Sequence, residues 1–225
     1  MCIEEAWASD ERAAEALRKL GIRARPDAPY LAVLGRDRDI LAALRTRDEV
    51  IFGISPPGVD AKLAVAPLDV LGAVLRSGRC EVVEVPRLTA ASGRARLTAV
   101  NEIAVFPRRS ATLMSYSVRV GGVHLFSDVA DGVLVATPLG STAYARSAGG
   151  PVMLLGTRAV EIVPVNSTSR RPPAVAPLEA EVEIADIYSA SPVEVIADGA
   201  ARVAAEDFER GYRRVGRPNG RCRPD

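Results

Sequence analysis

Lysine, histidine and cysteine are nearly missing from this chain, and each shortage closes off a class of chemistry. Only Lys19 and Lys62 occur, and neither sits beside a glycine turn. A G-x-x-x-x-G-K-[ST] phosphate loop is therefore excluded. His124 is the sole histidine, which rules out His-based zinc sites and any Ser-His-Asp triad built on another base. Its alternating Val-His-Leu-Phe setting reads as an ordinary strand. Cys2, Cys80 and Cys222 are odd in number, scattered and without metal spacing, so reduced thiols and no metal centre are expected. No stretch approaches the roughly 20 apolar residues of a membrane span. Glu4, Glu5, Asp10 and Glu11 break up any signal-like run, in an N-terminus that reads as helical and charged. Net charge is +1, from 29 basic and 28 acidic residues, so no global field directs the chain to nucleic acid or a membrane. The expectation is a cytoplasmic protein. No G-x-G-x-x-G follows the first strand either, which weighs against a dehydrogenase.

What is present has two rhythms. Up to about residue 80 the pattern is α/β: a helix over Asp10 to Leu20 stopped by Gly21, an apolar strand over Tyr30 to Leu34, and a helix from Ile40 to Arg45. A second buried strand over Val50 to Ile54 and an amphipathic helix from Pro67 to Ser77 complete it. From Cys80 onward short period-two strands take over, with Met114, Tyr116, Val118 and Val120 alternating with polar residues. Ser92-Gly93 and Gly121-Gly122 are hairpin signals. Further strands are read over Leu97 to Phe106, Val133 to Thr137, Ala159 to Val165, Val182 to Tyr188 and Val193 to Ala197. The expected architecture is a small N-terminal α/β lobe (1–80) followed by a larger, mainly antiparallel β-sandwich domain (81–209). An Arg-rich tail (210–225) ends the chain, with Arg210, Arg213, Arg214, Arg217, Arg221 and Arg223 among Gly and Pro. A solvated tail and an arm touching phosphates are both open readings of it.

Three constellations could carry chemistry. Gly35-Arg36-Asp37-Arg38-Asp39 follows the strand over Tyr30 to Leu34, and ligands of open α/β sheets collect at such carboxyl ends. A mixed-charge solvated loop is the plainer reading. Asn101-Glu102 interrupts an apolar strand; neighbouring polar residues there face opposite sides, so one faces the interior or a cleft, or both lie on an edge or bulge. Asp131-Gly132 leads into Thr137-Pro-Leu-Gly-Ser-Thr-Ala-Tyr144 and Ser147-Ala-Gly-Gly-Pro151. This last stretch reads as strand, glycine turn at Gly140 and short helix capped by Ser141 or Thr142. Free N–H groups and a helix dipole at such a junction suit an anionic or nucleotide ligand, although on shape alone an ordinary strand–turn–helix connection is the plainer reading.

Taken together, in this order and at this spacing, Asn101-Glu102, Asp131-Gly132, Thr137 to Tyr144 and Ser147 to Pro151 resemble the NAD kinase family. The clear resemblance covers about residues 97–151, with a thinner one over Tyr30 to Ile54 and from Pro164 to Gly199, through Arg171-Pro172 and Asp198-Gly199. The resemblance implies an α/β lobe plus a β-sandwich, in a homodimer or homotetramer whose subunits share active sites. It implies transfer of a phosphoryl group from ATP or polyphosphate, with Mg²⁺, to the 2′-hydroxyl of NAD, giving NADP. Asp37 would then be the catalytic acid position, in a phosphate loop with Gly35, Arg36 and Arg38. Asn101 and Glu102 would hold the dinucleotide, and Asp131 its nicotinamide half. Thr142, Ala143 and Tyr144 would surround adenine, supported by Ser147.

The chain also departs from the family pattern. Gly35-Arg36-Asp37-Arg38-Asp39 stands where the family has Gly-Gly-Asp-Gly-Thr, so bulk replaces glycines that let phosphates approach the backbone. If either arginine takes up a glycine's φ > 0, it carries about 1–2 kcal/mol of strain. The guanidinium groups could equally supply charge to phosphate oxygens. Leu139 replaces a usual hydroxyl residue, Ser55 a usual Asn, and Asn166 to Ser169 lacks a usual His. The first lobe is shorter than the family's. A non-catalytic NAD(P)-binding homologue is thus the alternative to an active kinase.

Overall fold

Apolar strands such as Tyr30 to Leu34 must be covered on both faces, as in a parallel sheet flanked by helices. The computed structural model describes residues 3–78, 81–205 and the backbone of 214–216. The chain divides into two compact units, the first reaching Glu84 and the second beginning at Val85.

The first unit holds β1 (Glu5–Ala8), α1 (Glu11–Leu20), β2 (Arg23–Ala24), β3 (Tyr30–Leu34), α2 (Asp37–Thr46), β4 (Val50–Ser55), β5 (Ala66–Pro67) and α3 (Leu68–Arg76). Its sheet is parallel, in the order β2-β1-β3-β4-β5. Asp10 caps α1 by accepting from the Ala13 N–H at 2.8 Å, and Gly21, at φ 71, closes it in the left-handed region. Ala16 and Leu17 of α1 pack with Leu71 and Leu75 of α3 against Ala32, Phe52 and Ile54. Ile40 of α2 packs with Leu31 and Val33 in a separate cluster. Two expectations are corrected here. The N-terminus is not helical: residues 5–8 are a strand with Ala6 fully buried, because pairing between β2 and β3 overrides the acidic composition. The helix expected from Ile40 begins three residues earlier, at Asp37.

The second unit holds β6 (Leu88–Ser92), β7 (Ala95–Ala99), β8 (Glu102–Pro107), β9 (Met114–Val120), β10 (Val123–Ala130), β11 (Gly132–Ala136), a short α4 (Tyr144–Ser147), β12 (Ala159–Val165), β13 (Ala174–Pro177), β14 (Val182–Ser189), β15 (Val193–Ala197), β16 (Ala201–Ala204) and β17 (Arg214–Gly216). These form two six-stranded antiparallel sheets, β10-β9-β14-β17-β6-β7 and β13-β12-β11-β8-β15-β16. Met114, Tyr116 and Val118 of the first meet Ile103, Val105, Val133 and Ile162 of the second in one continuous core. The fold is therefore an α/β lobe plus an antiparallel β-sandwich. Both hairpins form, with Ser92 opposite Ala95 and Val120 opposite Val123. The single strand expected over Leu97 to Phe106 is instead two, β7 and β8, lying in different sheets. Val100-Asn101 is the crossing. Of the stretch read as an Arg-rich tail, Arg214–Gly216 is a strand between β14 and β6; Arg210, Arg213, Arg217, Arg221 and Arg223 lie outside the described residues. Among the described residues no helix is long and apolar enough to cross a membrane.

Candidate dinucleotide site

In the first unit, Gly35-Arg36-Asp37-Arg38-Asp39 is a helix start rather than an open loop. Arg36 is the N-cap of α2, and its N–H donates to Asp39 Oδ2 at 2.9 Å. Asp37 sits in the first helical turn, where Oδ1 accepts from the Leu63 N–H at 2.9 Å. One oxygen of the expected catalytic carboxylate thus tethers the loop before β5. The backbone-strain argument falls away: Arg36 has φ −88 and Arg38 is helical. Both arginines are exposed, and Arg38 lies 3.6 Å from Asp39.

In the second unit the chain changes sheets twice near candidate residues, at Val100-Asn101 and at Asp131. Ladder hydrogen bonds lapse at such corners, so other groups must satisfy the backbone. At the first corner Asp198 does so. Its carboxylate accepts from Val100 at 3.1 Å, Asn101 at 2.8 Å and Glu102 at 3.2 Å. Asp198 holds a left-handed φ of 48, and its N–H donates to Glu102 O at 3.0 Å. Three N–H donors on one carboxylate form a charge-assisted clamp. Thr137 buttons the other side: its hydroxyl donates to Val100 O at 2.6 Å and its N–H to Asn101 O at 2.9 Å.

The turn after β11 corrects a further expectation. Its N–H groups are largely spent on the turn itself: Gly140 donates to Thr137 Oγ1, Ser141 to Thr137 O and Ala143 to Gly140 O. Neither Ser141 nor Thr142 caps α4. Ser141 Oγ donates to Pro138 O at 2.7 Å and accepts from Met153 N–H at 2.9 Å, while Thr142 Oγ1 points back to Leu139 O. Ala143 is the cap residue, and no side chain caps the four-residue helix. Gly140 is required for another reason: a Cβ there would lie 2.1 Å from Asn101 O, a backbone clash.

These contacts set α4 on the outer face of the second sheet, with Ala145 buried against Ala104, Leu134, Ala136 and Val163. Tyr144 remains 44% exposed and stacks on Phe106 at 6.2 Å with an interplanar angle of 22°. Burial, then Asp131, then Glu102 push its hydroxyl above the ordinary tyrosine range. Asp131 and Glu102 thus both lie near enough to Tyr144 to influence its hydroxyl. Thr142 and Ser147 are exposed, Ala143 is half-buried, and Asn101 contributes a backbone clasped between Asp198 and Thr137.

One row of this sheet carries an unusual charge pattern. Ala136 pairs with Glu102 on one side and Glu161 on the other, so the two carboxylates share a face roughly two strand spacings, about 10 Å, apart. Glu161 is fully buried, and among the described residues neither of its oxygens has a partner, nor does Glu102 Oε2. Burial lifts both to about 7, with Asp198 adding to the effect at Glu102. Glu194, also buried, is by contrast paired with Arg108 and Arg202. Gly150 lies over Glu161, where a Cβ would come within 2.6 Å of Oε2. The close backbone approach at Gly150 is thus to the protein's own carboxylate. Sequence reasoning missed Phe106, Glu161 and Asn166, whose Nδ2 donates to Asp131 Oδ2 at 2.7 Å, and treated Asp198 only as a landmark. A lone acid in the apolar run Ala-Val-Glu-Ile-Val-Pro-Val was the available signal for Glu161.

Comparison with known proteins gives the family. The family model of the ATP-NAD kinase C-terminal domain matches residues 100–215. The NAD kinase of Halobacterium salinarum is 35% identical over 169 residues, covering 70% of this chain and 60% of the relative. That of Pasteurella multocida is 34% identical over 153 residues, 62% of this chain and 50% of the relative. The chain thus spans between half and three fifths of these two relatives. A crystal structure of an NAD kinase from Archaeoglobus fulgidus in complex with ATP superposes with a TM-score of 0.78 at 28% identity, covering 96% of this chain and 91% of that one. Yeast NADH kinase complexed with NADH shares the fold, with a TM-score of 0.74 at 19% identity, over 95% of this chain and 79% of that one. By this match of sequence and of fold, the chain belongs to the NAD kinase family.

Proposed function

We propose that this protein is an NAD kinase, transferring the γ-phosphoryl group of ATP or polyphosphate to the 2′-hydroxyl of NAD. The observation that carries the reading is the exposed Tyr144 ring stacked on Phe106, with Asp131 and Glu102 acting on its hydroxyl and the Asn101 backbone doubly clasped. An exposed aromatic face offers adenine a stacking partner, an interaction of about 1–3 kcal/mol per base. Carboxylates beside it accept from ribose hydroxyls and amide N–H groups. In this reading Thr142 and Ala143 border adenine, Ser147 supports that wall, and Asp131 takes the nicotinamide half. Asp37 removes the 2′-hydroxyl proton as that oxygen attacks the γ-phosphorus, and the bond to the ADP leaving group breaks. Gly35, Arg36 and Arg38 face the phosphates, the arginines supplying positive charge. Among the described residues no three His, Cys, Asp or Glu side chains converge on a metal-sized site. Mg²⁺ enters with the donor, as the counter-ion of its phosphates. A cytoplasmic homodimer or homotetramer completes the proposal.

A second reading, a dinucleotide-binding protein without turnover, is favoured by one observation. The Asp37 carboxylate is tied to Leu63, in a turn filled by arginine side chains rather than glycines. One assay separates the two. Protein is incubated with NAD, ATP and magnesium, and NADP is detected with an NADP-specific dehydrogenase, beside an Asp37→Asn control. Product above that control supports the kinase; calorimetric binding of NAD without product supports the second reading; neither refutes both.

A further inference from the structure

Asp131 lies at the corner between β10 and β11, which belong to opposite sheets. Its backbone is anchored, with N–H donating to Val165 O at 3.0 Å, but no ladder orients its side chain. Asn166 does. It follows β12 in a left-handed conformation, φ 52, which asparagine tolerates better than most residues. Its amide donates to Asp131 Oδ2 at 2.7 Å, and among the described residues no donor reaches Oδ1. The segment that follows is strapped to the same corner. Thr168 donates from N and from Oγ1 to Val129 O at 2.9 and 3.0 Å. Ser169 Oγ donates to the buried Asp128 at 2.8 Å, and the Arg171 guanidinium lies 4.8 Å from the Phe126 ring centroid. Asn166 is thus held by a segment gripping the two residues just before Ala130 and Asp131.

We infer that Asn166 is a positioning residue, occupying one oxygen of Asp131 so that the other is presented to an N–H or O–H donor on the nicotinamide riboside half of the ligand. The inference rests on the dinucleotide-binding reading above. The two oxygens of a carboxylate are equivalent until one is engaged; a fixed donor on Oδ2 leaves Oδ1 in a single orientation. Asn166 does not itself touch the ligand in this account.

The test measures NAD and AMP binding to the full chain by calorimetry. Asn166→Gly keeps the left-handed turn and removes only the amide; Asn166→Asp keeps the shape and sets a like charge beside Asp131. Asn166→Gly should weaken NAD about tenfold, the scale of a lost hydrogen bond to a charged group, and leave AMP within about twofold. Asn166→Asp should weaken NAD further. On an Asp131→Ala background, Asn166→Gly should cost nothing more, a result that a merely structural role would not give. Unchanged NAD affinity, equal losses for NAD and AMP, or an undiminished effect on the Asp131→Ala background would overturn the inference while leaving the site standing. Wild-type protein that bound neither ligand would overturn the site, and this inference with it. If Asn166→Gly does not fold, Asn166→Asp carries the same comparison.

Discussion

Glu161→Gln should stabilise the second unit in neutral and alkaline solution and do little in mild acid. Glu161 is fully buried with both oxygens unpartnered among the described residues, and burial lifts its carboxyl from 4.5 to about 7. The sign follows from the two end states. Below the unfolded value both forms are protonated and the group contributes nothing. Between the two values the unfolded chain ionises while the folded one holds its proton, so unfolding releases a proton and stability falls as pH rises. Above the folded value the penalty levels off. A gap of this size corresponds to roughly 3 kcal/mol at about pH 8 and under roughly 1 kcal/mol near pH 5. Glutamine keeps the shape but cannot ionise, and any cost of burying its amide is the same at both pH values. Urea unfolding at the two pH values, followed by far-UV circular dichroism, measures the difference. Fluorescence is unsuitable because Trp7, the sole tryptophan, lies in the first unit. Glu102 titrates in the same window but is present in both proteins, so it cancels. An advantage for Glu161→Gln that is equal at both pH values would refute the reasoning.

Gly140→Ala should cost more than about 3 kcal/mol or abolish soluble expression, since its Cβ meets the Asn101 carbonyl at 2.1 Å and backbone cannot yield cheaply; thermal melting reports this. Asp198→Asn suits the left-handed φ of 48 but replaces an ionised acceptor of three N–H groups, so a loss of about 1–3 kcal/mol is expected in the same assay. Tyr144→Ala should weaken NAD binding about tenfold, whereas Tyr144→Phe, which keeps the stack on Phe106, should weaken it by about threefold at most; calorimetry separates them.

Periodicity and glycine punctuation made most of the fold legible. The strands over residues 159–165 and 193–197 fall at the expected bounds, and both glycine hairpins form. The misreadings share a cause: local pattern does not reveal which sheet a strand joins. Leu97 to Phe106 looks continuous because both halves are apolar, yet the ladder is handed from one sheet to the other at Val100-Asn101. The same holds for the site. Glu102, Asp131 and Tyr144 were visible as polar or aromatic residues in marked places. That Gly140 donates to the Thr137 hydroxyl, and that Glu161 lies under Gly150, are contacts that local pattern does not reveal.

The Asp198 clamp joins residues 97 positions apart in the chain, and this has a temporal consequence. During synthesis the segment bearing Asn101, Asp131 and Tyr144 emerges well before the carboxylate that orders its first corner. Until that carboxylate arrives, three adjacent amides must rely on water. A chain cut short between β14 and β15 would keep every side chain assigned to the dinucleotide and still lack the part that sets their entry strand in register.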